Sequence, residues 1–444
     1  MGKKVWLVLI AVALLCPLAA GAEPVNSKMN VDFYGYLKLD TVYSTAFTVQ
    51  NNFLDFVPPG NLRANHEEQR YRDRDSFAMT ARQSRFGFLI NGPASEGGIS
   101  TRARIEMDFY GSMPATSGKA NQNGIQIGYA SDPAENKGAI MLRRATVEII
   151  GDTWAVLAGN EWMVVSPLAP HVNNYTYAAD VGNLGYRTPQ IRFTGYAMDK
   201  QLILELAACN KMGDVDTLDI DTGRMHGAPT WEGGITYKTK EGLNVGLTGH
   251  YGMEEMQTRR ANLYGYFGSQ IESWSYNLHF NVPMGEIFAV SGEYYEGANL
   301  DGWYTGGQGN GWVVTEDGER EPLHSFGGWA ELMIKPADNF KIYTGYGIDD
   351  VSDDQLRDGI IEGDDGVIPA TATYFGGVGN KAITKNVMYY TNLNYNINAA
   401  TMISLEWMQM ISTYDNAREL TPAGKLHWEN GKVDRYTLSF WYMF

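Results

Sequence analysis

The sequence predicts an all-β chain closed into a transmembrane antiparallel β-barrel of about sixteen strands, and three observations carry that prediction. Apolar and polar residues alternate in segment after segment, the period of a strand with oil on one face and water on the other. The connections between these segments alternate between short and long. The last segment carries apolar or aromatic residues at every second position up to Phe444. Composition agrees, because 19% of the 444 residues are charged, against about 25% in an average soluble domain. After the N-terminal stretch no apolar run reaches the roughly 20 residues of a spanning helix. A net charge of −16 has the wrong sign for phosphate, which excludes nucleic acid as a partner.

Residues 1–22 read as a cleaved signal peptide. Lys3 and Lys4 form the positive region, Val5 to Leu15 a short apolar core, and Ala20-Gly21-Ala22 a small-residue cleavage site before Glu23. The core is too short for a membrane anchor. Leu14 and Leu15 stand before Cys16 where lipidation requires a small residue. Cleavage takes the net charge from −16 to −18 and leaves Cys209 as the only cysteine, so no intramolecular disulfide forms. Residues 23–444 are then the barrel domain of an exported protein.

The strands follow in order. Val31, Phe33, Leu37 and Leu39 oppose Asp32, Tyr34, Lys38 and Asp40 over 31–43. Segments 77–90, 101–110, 142–150, 153–162, 189–196, 200–209 and 229–238 come next, with Ala103-Arg104-Ile105-Glu106-Met107-Asp108-Phe109 the cleanest alternation. Leu243, Val245, Leu247 and Tyr251 oppose Asn244, Thr248 and His250 in 243–252, and Trp274 to Val282 alternates within 273–282. Segments 287–296, 326–335, 340–348, 386–395, 401–411 and 433–444 complete the set. Short connections at 151–152, 197–199, 239–242, 283–286, 336–339 and 396–400 are rich in Gly, Pro, Asn and Asp, and long ones lie between them; only 91–100 is ambiguous. Short periplasmic turns, long extracellular loops and an even strand number are the rhythm of an outer-membrane barrel, whose closure leaves no backbone group unpaired in lipid. Sixteen strands allow roughly 26 residues per strand and connection. In the last strand Tyr436, Leu438, Phe440, Tyr442 and Phe444 alternate with Arg435, Thr437, Ser439, Trp441 and Met443 and resemble the assembly signal read by the barrel-assembly machinery.

If the apolar phase faces lipid, the other phase lines the interior. This places Arg85, Arg102, Arg104, Arg144 and Arg192 inside on nearly consecutive strands, together with Glu106, Asp108 and Glu148. Arg82 is out of phase with Arg85 and reaches the lumen only through a bulge or near the rim. So polar an interior is hydrated or plugged, and with no plug domain before Val31 a water-filled channel is expected. Guanidinium groups are permanently charged and offer forked donors to carboxylates, so a row of them along a narrow pore raises local anion concentration. The competing reading is that Glu106, Asp108 and Glu148 pair with the arginines and neutralise the wall. The connection 163–188 is a candidate inward-folded constriction loop. It carries Asn173-Asn174-Tyr175-Thr176-Tyr177, with Asp180 and Arg187 as candidate constriction groups.

The segments Ala81-Arg82-Gln83-Ser84-Arg85-Phe86-Gly87-Phe88, Leu142-Arg143-Arg144-Ala145-Thr146-Val147-Glu148, Leu157-Ala158-Gly159-Asn160-Glu161-Trp162 with Ser166-Pro167, and Arg187-Thr188-Pro189-Gln190-Ile191-Arg192 carry a family resemblance. The chain resembles the trimeric porins of Gram-negative outer membranes, and more narrowly the dicarboxylate-type, DcaP-like porins. The resemblance implies a homotrimer in outer-membrane lipid and lipopolysaccharide, passive diffusion of small hydrophilic solutes, and small carboxylates among them. Dicarboxylate preference is carried through Arg85, Arg144, Arg187 and Arg192.

Other functions leave weaker marks. The seven histidines lack zinc-ligand spacing such as HExxH, and no GxSxG segment occurs, so neither an enzyme nor a metal centre is expected. Acidic stretches 214–221 and 349–366 could hold divalent cations against lipopolysaccharide phosphates in a structural or receptor barrel. Neither matches an EF-hand, and solvated surface charge is the default. A barrel sheathing an electron-transfer cytochrome would borrow its heme from a partner, since no CxxCH occurs; the chain itself is expected to hold no cofactor.

Overall fold

A computed structural model describes residues 29–46, 48, 52–58, 60, 74–93, 95, 98–111, 138–210, 226–256, 269–300, 306, 311–314, 320–352, 355, 383–414 and 429–444. The signal-peptide segment 1–22, the acidic stretch 214–221 and most of 349–366 lie outside the described residues. The strands are β1 (Asn30–Ser44), β2 (Ser76–Thr80), β3 (Arg85–Asn91), β4 (Ser100–Gly111), β5 (Ala139–Ile150), β6 (Trp154–Trp162), β7 (Arg187–Ala197), β8 (Leu202–Cys209), β9 (Thr230–Lys238) and β10 (Asn244–Met256). They continue with β11 (Ser269–Met284), β12 (Phe288–Ala298), β13 (Trp312–Val314), β14 (Arg320–Pro322), β15 (His324–Ala337), β16 (Phe340–Val351), β17 (Ile383–Asn396), β18 (Thr401–Tyr414) and β19 (Gly431–Met443).

Every ladder is antiparallel, and β1 closes the ring on β19 with Leu37 opposite Tyr442 and Leu39 opposite Phe440. Both β2 and β3 pair with β1, so they are two parts of one wall strand, and the wall has sixteen strands. The β13–β14 pair is a separate hairpin between β12 and β15.

The continuous strand expected over 77–90 is interrupted at 81–84. There the Ser84 hydroxyl takes the place of the ladder: it accepts from the Lys38 amide at 3.0 Å and donates to the Lys38 carbonyl at 3.3 Å. The interruption buries Gln83 and sends Arg82 Nε to the Phe109 carbonyl at 3.2 Å.

The outward phase is apolar and exposed, as in Phe33, Leu37 and Leu39 of β1, Ile140 and Leu142 of β5, Leu204 and Leu206 of β8, and Phe440 and Tyr442 of β19. Such a belt suits lipid rather than water. The inward phase is polar and buried over much of the wall, including Lys38, Asp40, Glu106, Asp108, His250, Asn277, Glu293, Glu331 and Glu406. It departs from this on β17–β19, where Met388, Tyr390, Met408, Met410 and Val433 are buried with Ala46, Leu54, Val57, Val172, Ala178 and Val181. An apolar patch on the inner wall therefore seats two chain segments inside the barrel, one after β1 and one after β6.

Candidate functional site

The segment 163–186 follows β6 and runs along the inside of the far wall. Four inward glutamates accept hydrogen bonds from its backbone: Glu232 of β9 from Val164 at 2.6 Å, Glu293 of β12 from Leu168 at 2.9 Å, Glu331 of β15 from His171 at 3.0 Å, and Glu406 of β18 from Asn173 at 2.5 Å. Thr248 adds a bond to the Val165 carbonyl at 2.7 Å, and Asn392 one to the His171 carbonyl at 3.0 Å. At Gly182 (φ +110°) the approach is so close that a Cβ would lie 2.1 Å from the Gly328 carbonyl oxygen. Only glycine fits that position.

The tip of the segment reaches the near wall. Lys38 Nζ donates to the Asn173 carbonyl at 2.9 Å, Arg143 Nη1 to the Tyr175 hydroxyl at 2.9 Å, and Arg85 Nη2 to the Tyr177 hydroxyl at 3.1 Å. The Tyr175 hydroxyl donates in turn to Asp108 at 2.8 Å. Burial raises the Tyr177 phenol, but Arg85, Arg143 and Lys38 outweigh that effect and bring it to about 7. Asp180 stands away from this contact. Burial, then Asp55 and Asp349, hold its carboxyl well above the usual range, and its backbone carbonyl accepts from Asn386 at 3.1 Å.

Segment 52–58, read from the sequence only as part of a long connection, also lies inside. Leu54 and Asn174 exchange two hydrogen bonds, with the Leu54 amide donating to Asn174 Oδ1 at 3.0 Å and Asn174 Nδ2 to the Leu54 carbonyl at 2.7 Å. Val57 is held by Ser412 at 2.8 Å and Tyr414 at 2.6 Å. The apolar inward residues Met388, Met408 and Met410 were the signal for it, since an inner wall facing only water would not carry them.

The near wall gathers the arginines. Arg85 lies 3.7 Å from Glu106, Arg102 2.5 Å from Glu148, and Arg192 3.1 Å from Glu205. Arg144 places Nε and Nη2 on one oxygen of Glu161 at 2.9 and 2.6 Å. Arg187 is buried over the Tyr186 and Trp162 rings. Neither Arg104 nor Arg187 has a carboxylate partner among the described residues. The acids thus pair with much of the wall, and Glu106 is shared between Arg85 and Arg143.

Arg143 is the residue that alternation missed. Glu106 opposes Arg144 and Met107 opposes Leu142, which leaves Arg143 as the extra residue of a β-bulge. It is almost wholly buried and bonds Glu106 at 3.0 Å and Asp108 at 2.6 Å. Leu142 and Val147 both face outward although five positions apart, and that odd spacing was the available sign.

The five residues of the C-terminal pattern face outward along β19, with Tyr436, Phe440, Tyr442 and Phe444 exposed. Phe444 stacks on Phe33 at 4.9 Å between ring centres and exchanges backbone hydrogen bonds with Gly35 at 2.9 and 3.0 Å.

The chain has structural neighbours among outer-membrane porins. The outer-membrane channel DcaP of Acinetobacter baumannii aligns with a TM-score of 0.68 at 17% identity, over 94% of this chain and 99% of that one. The anion-selective porin of Comamonas acidovorans aligns at 0.54 and 10% identity, over 94% and 100% of the two chains. Salmonella typhi OmpF, in complex with daunomycin, aligns at 0.51 and 10%, over 93% and 97%. No family model and no curated protein matches the sequence.

Proposed function

We propose that this chain, which has the fold of outer-membrane porins, forms a water-filled channel for passive diffusion of small hydrophilic solutes, with a preference for anions such as small mono- and dicarboxylates. The observation that carries the reading is the unequal fate of the two walls. On the far wall Glu232, Glu293, Glu331 and Glu406 are occupied by backbone amides of segment 163–186. Their oxygens are engaged by the segment rather than by the bore. On the near wall Arg85, Arg102, Arg144 and Arg192 keep part of their surface exposed, and Arg104 and Arg187 lack a carboxylate partner among the described residues. A one-sided positive field of this kind concentrates anions.

Segment 163–186 is then the constriction, with Arg85 and Tyr177 at its contact with the near wall. The cell outer membrane of a Gram-negative bacterium is the expected location, reached by a cleaved signal peptide and by recognition of β19 by the barrel-assembly machinery. The outward belt meets lipid and lipopolysaccharide, and a homotrimer is the expected assembly, in keeping with the trimer form of OmpT among the neighbours. No catalysed reaction is part of this reading.

Proteoliposomes holding the purified protein test it. A small dicarboxylate should enter faster than a neutral sugar of similar size, and much faster than a diamine. Equal rates would remove the anion preference, and no solute flux from folded protein would remove the channel.

A further inference from the structure

The Arg143–Arg144 bulge is held by the strand beside it. The β5–β6 ladder ends at the Ala145–Asn160 pair, so the backbone beyond that point has lost its regular partner. Asn160 Nδ2 supplies one, donating to the Arg143 carbonyl at 2.7 Å. Its neighbours complete the arrangement. Gly159 has φ +140°, and a Cβ there would lie 2.0 Å from the Ala145 carbonyl oxygen, so β6 presses on the bulge where only glycine fits. Glu161 takes Arg144 at 2.6 Å. Three consecutive residues of β6 thus serve one irregularity of β5: one by absence of a side chain, one through an amide, one through a carboxylate.

The bulge changes what β5 offers the lumen. In a regular strand consecutive residues point to opposite faces, so one guanidinium of the pair would face lipid. Here Arg143 is buried toward Glu106 and Asp108 while Arg144 stays partly exposed toward Glu161. The first anchors the tip of segment 163–186 through Tyr175, and the second, paired with Glu161, keeps part of its surface open.

We propose that Asn160 is a positioning residue for selectivity: by capping the Arg143 carbonyl it fixes the bulge that turns both Arg143 and Arg144 into the lumen. This inference rests on the channel reading above and deepens it. An outward-phase amide in a lipid-facing strand otherwise has no use, since an uncompensated polar group there is unfavourable.

Two measurements test it separately from that reading. In a Cys209→Ala background, Arg143→Cys and Arg144→Cys are each exposed to a charged, membrane-impermeant thiol reagent. With Asn160 present, Arg144→Cys should react. Arg143→Cys, buried against Glu106 and Asp108, should be reached neither by this reagent nor by a lipid-soluble maleimide. Adding Asn160→Leu should open one of the two positions to the lipid-soluble reagent. In planar bilayers Asn160→Leu alone should lower the anion-to-cation permeability ratio about three- to fivefold, the effect of one charge leaving the bore. Asn160→Gln, which keeps an amide donor, should restore it. Reaction of either cysteine with the lipid-soluble maleimide while Asn160 is intact would overturn the bulge as the source of both charges. Unchanged labelling and selectivity in Asn160→Leu would overturn the positioning role. A cation-selective wild-type channel would refute the anion reading alone, and the labelling would still decide the role of Asn160.

Discussion

Arg143 Nη1 and the Tyr175 hydroxyl lie 2.9 Å apart, joining a bulge in β5 to the tip of a segment that runs along the far wall. The same guanidinium group holds Glu106 and Asp108, and Tyr175 returns a hydrogen bond to Asp108. The contact is therefore a closed network. Removing either end should affect both stability and permeation.

Arg143→Ala leaves Asp108 buried without its cation, and breaking a buried pair in this way costs about 3–5 kcal/mol. Tyr175→Phe removes only hydroxyl bonds and should cost about 1 kcal/mol. Thermal unfolding in detergent should rank wild type above Tyr175→Phe and Tyr175→Phe above Arg143→Ala. Single-channel conductance should rise in the reverse order as the segment loosens.

The Tyr177 phenol gives the contact between segment 163–186 and the near wall a pH dependence. Its value falls from 10.0 to about 7 in the folded chain, so phenolate is favoured there. The attraction of that phenolate to Arg85, Arg143 and Lys38 is fully present above pH 10 and is lost as pH falls through about 7. Protonation also removes a negative charge beside Arg85. Anion selectivity should therefore rise between pH 8 and pH 6 in wild type, and Tyr177→Phe should flatten that profile.

The glutamates under segment 163–186 should act as pegs. Glu293→Ala withdraws the acceptor of the Leu168 amide and of the Ser166 hydroxyl at 2.9 Å, while Glu293→Gln keeps an oxygen in place. Open-channel current noise should increase strongly in the alanine variant and little in the glutamine variant. Equal noise in both would mean that the carboxylate does not hold the segment.

Arg104 and Arg102 should differ although they are two residues apart on β4. Arg102 is neutralised at 2.5 Å by Glu148, whereas Arg104 has no carboxylate partner among the described residues. A lone charge a few ångströms from a solute in water is worth about 1 kcal/mol, or about fivefold. Arg104→Ala should lower the anion-to-cation ratio by that order, and Arg102→Ala by much less. The gap should narrow in 1 M salt, where screening shortens to about 3 Å.

Phe444 seals the first strand to the last through Phe33 and the Gly35 backbone. Deleting it removes both hydrogen bonds and an aromatic pair worth roughly 0.5–1.5 kcal/mol beyond its area. The yield of heat-modifiable, folded barrel in outer membranes should fall sharply, and Phe444→Tyr should recover most of it.

Most of the wall was legible because period two is a strong signal wherever one face meets oil and the other polar groups. Leu37 against Lys38, or Ile105 against Glu106, declares its face without help from the rest of the chain. Irregularities were harder. Alternation places Arg144 inside but says nothing of Arg143, because a bulge adds one residue and shifts the phase beyond it. The interruption at 81–84 is likewise made by a side chain, Ser84, standing in for backbone. Met388, Met408 and Met410 mark a covered stretch of inner wall, but period alone does not say what covers it: they pack with Ala46, Leu54, Val57, Val172, Ala178 and Val181, far away in sequence. Asp180 was expected as a constriction group, yet its surroundings are Asp55 and Asp349, which only the folded loop brings near.

The reversal potential of the purified protein in a planar bilayer, measured across a tenfold potassium chloride gradient at pH 7, tests the central claim most directly. A one-sided arginine wall over far-wall glutamates already taken by backbone predicts discrete channels with an anion-selective potential. A cation-selective potential would assign the bore to the acids and contradict it, and a folded barrel without conductance would contradict the channel itself.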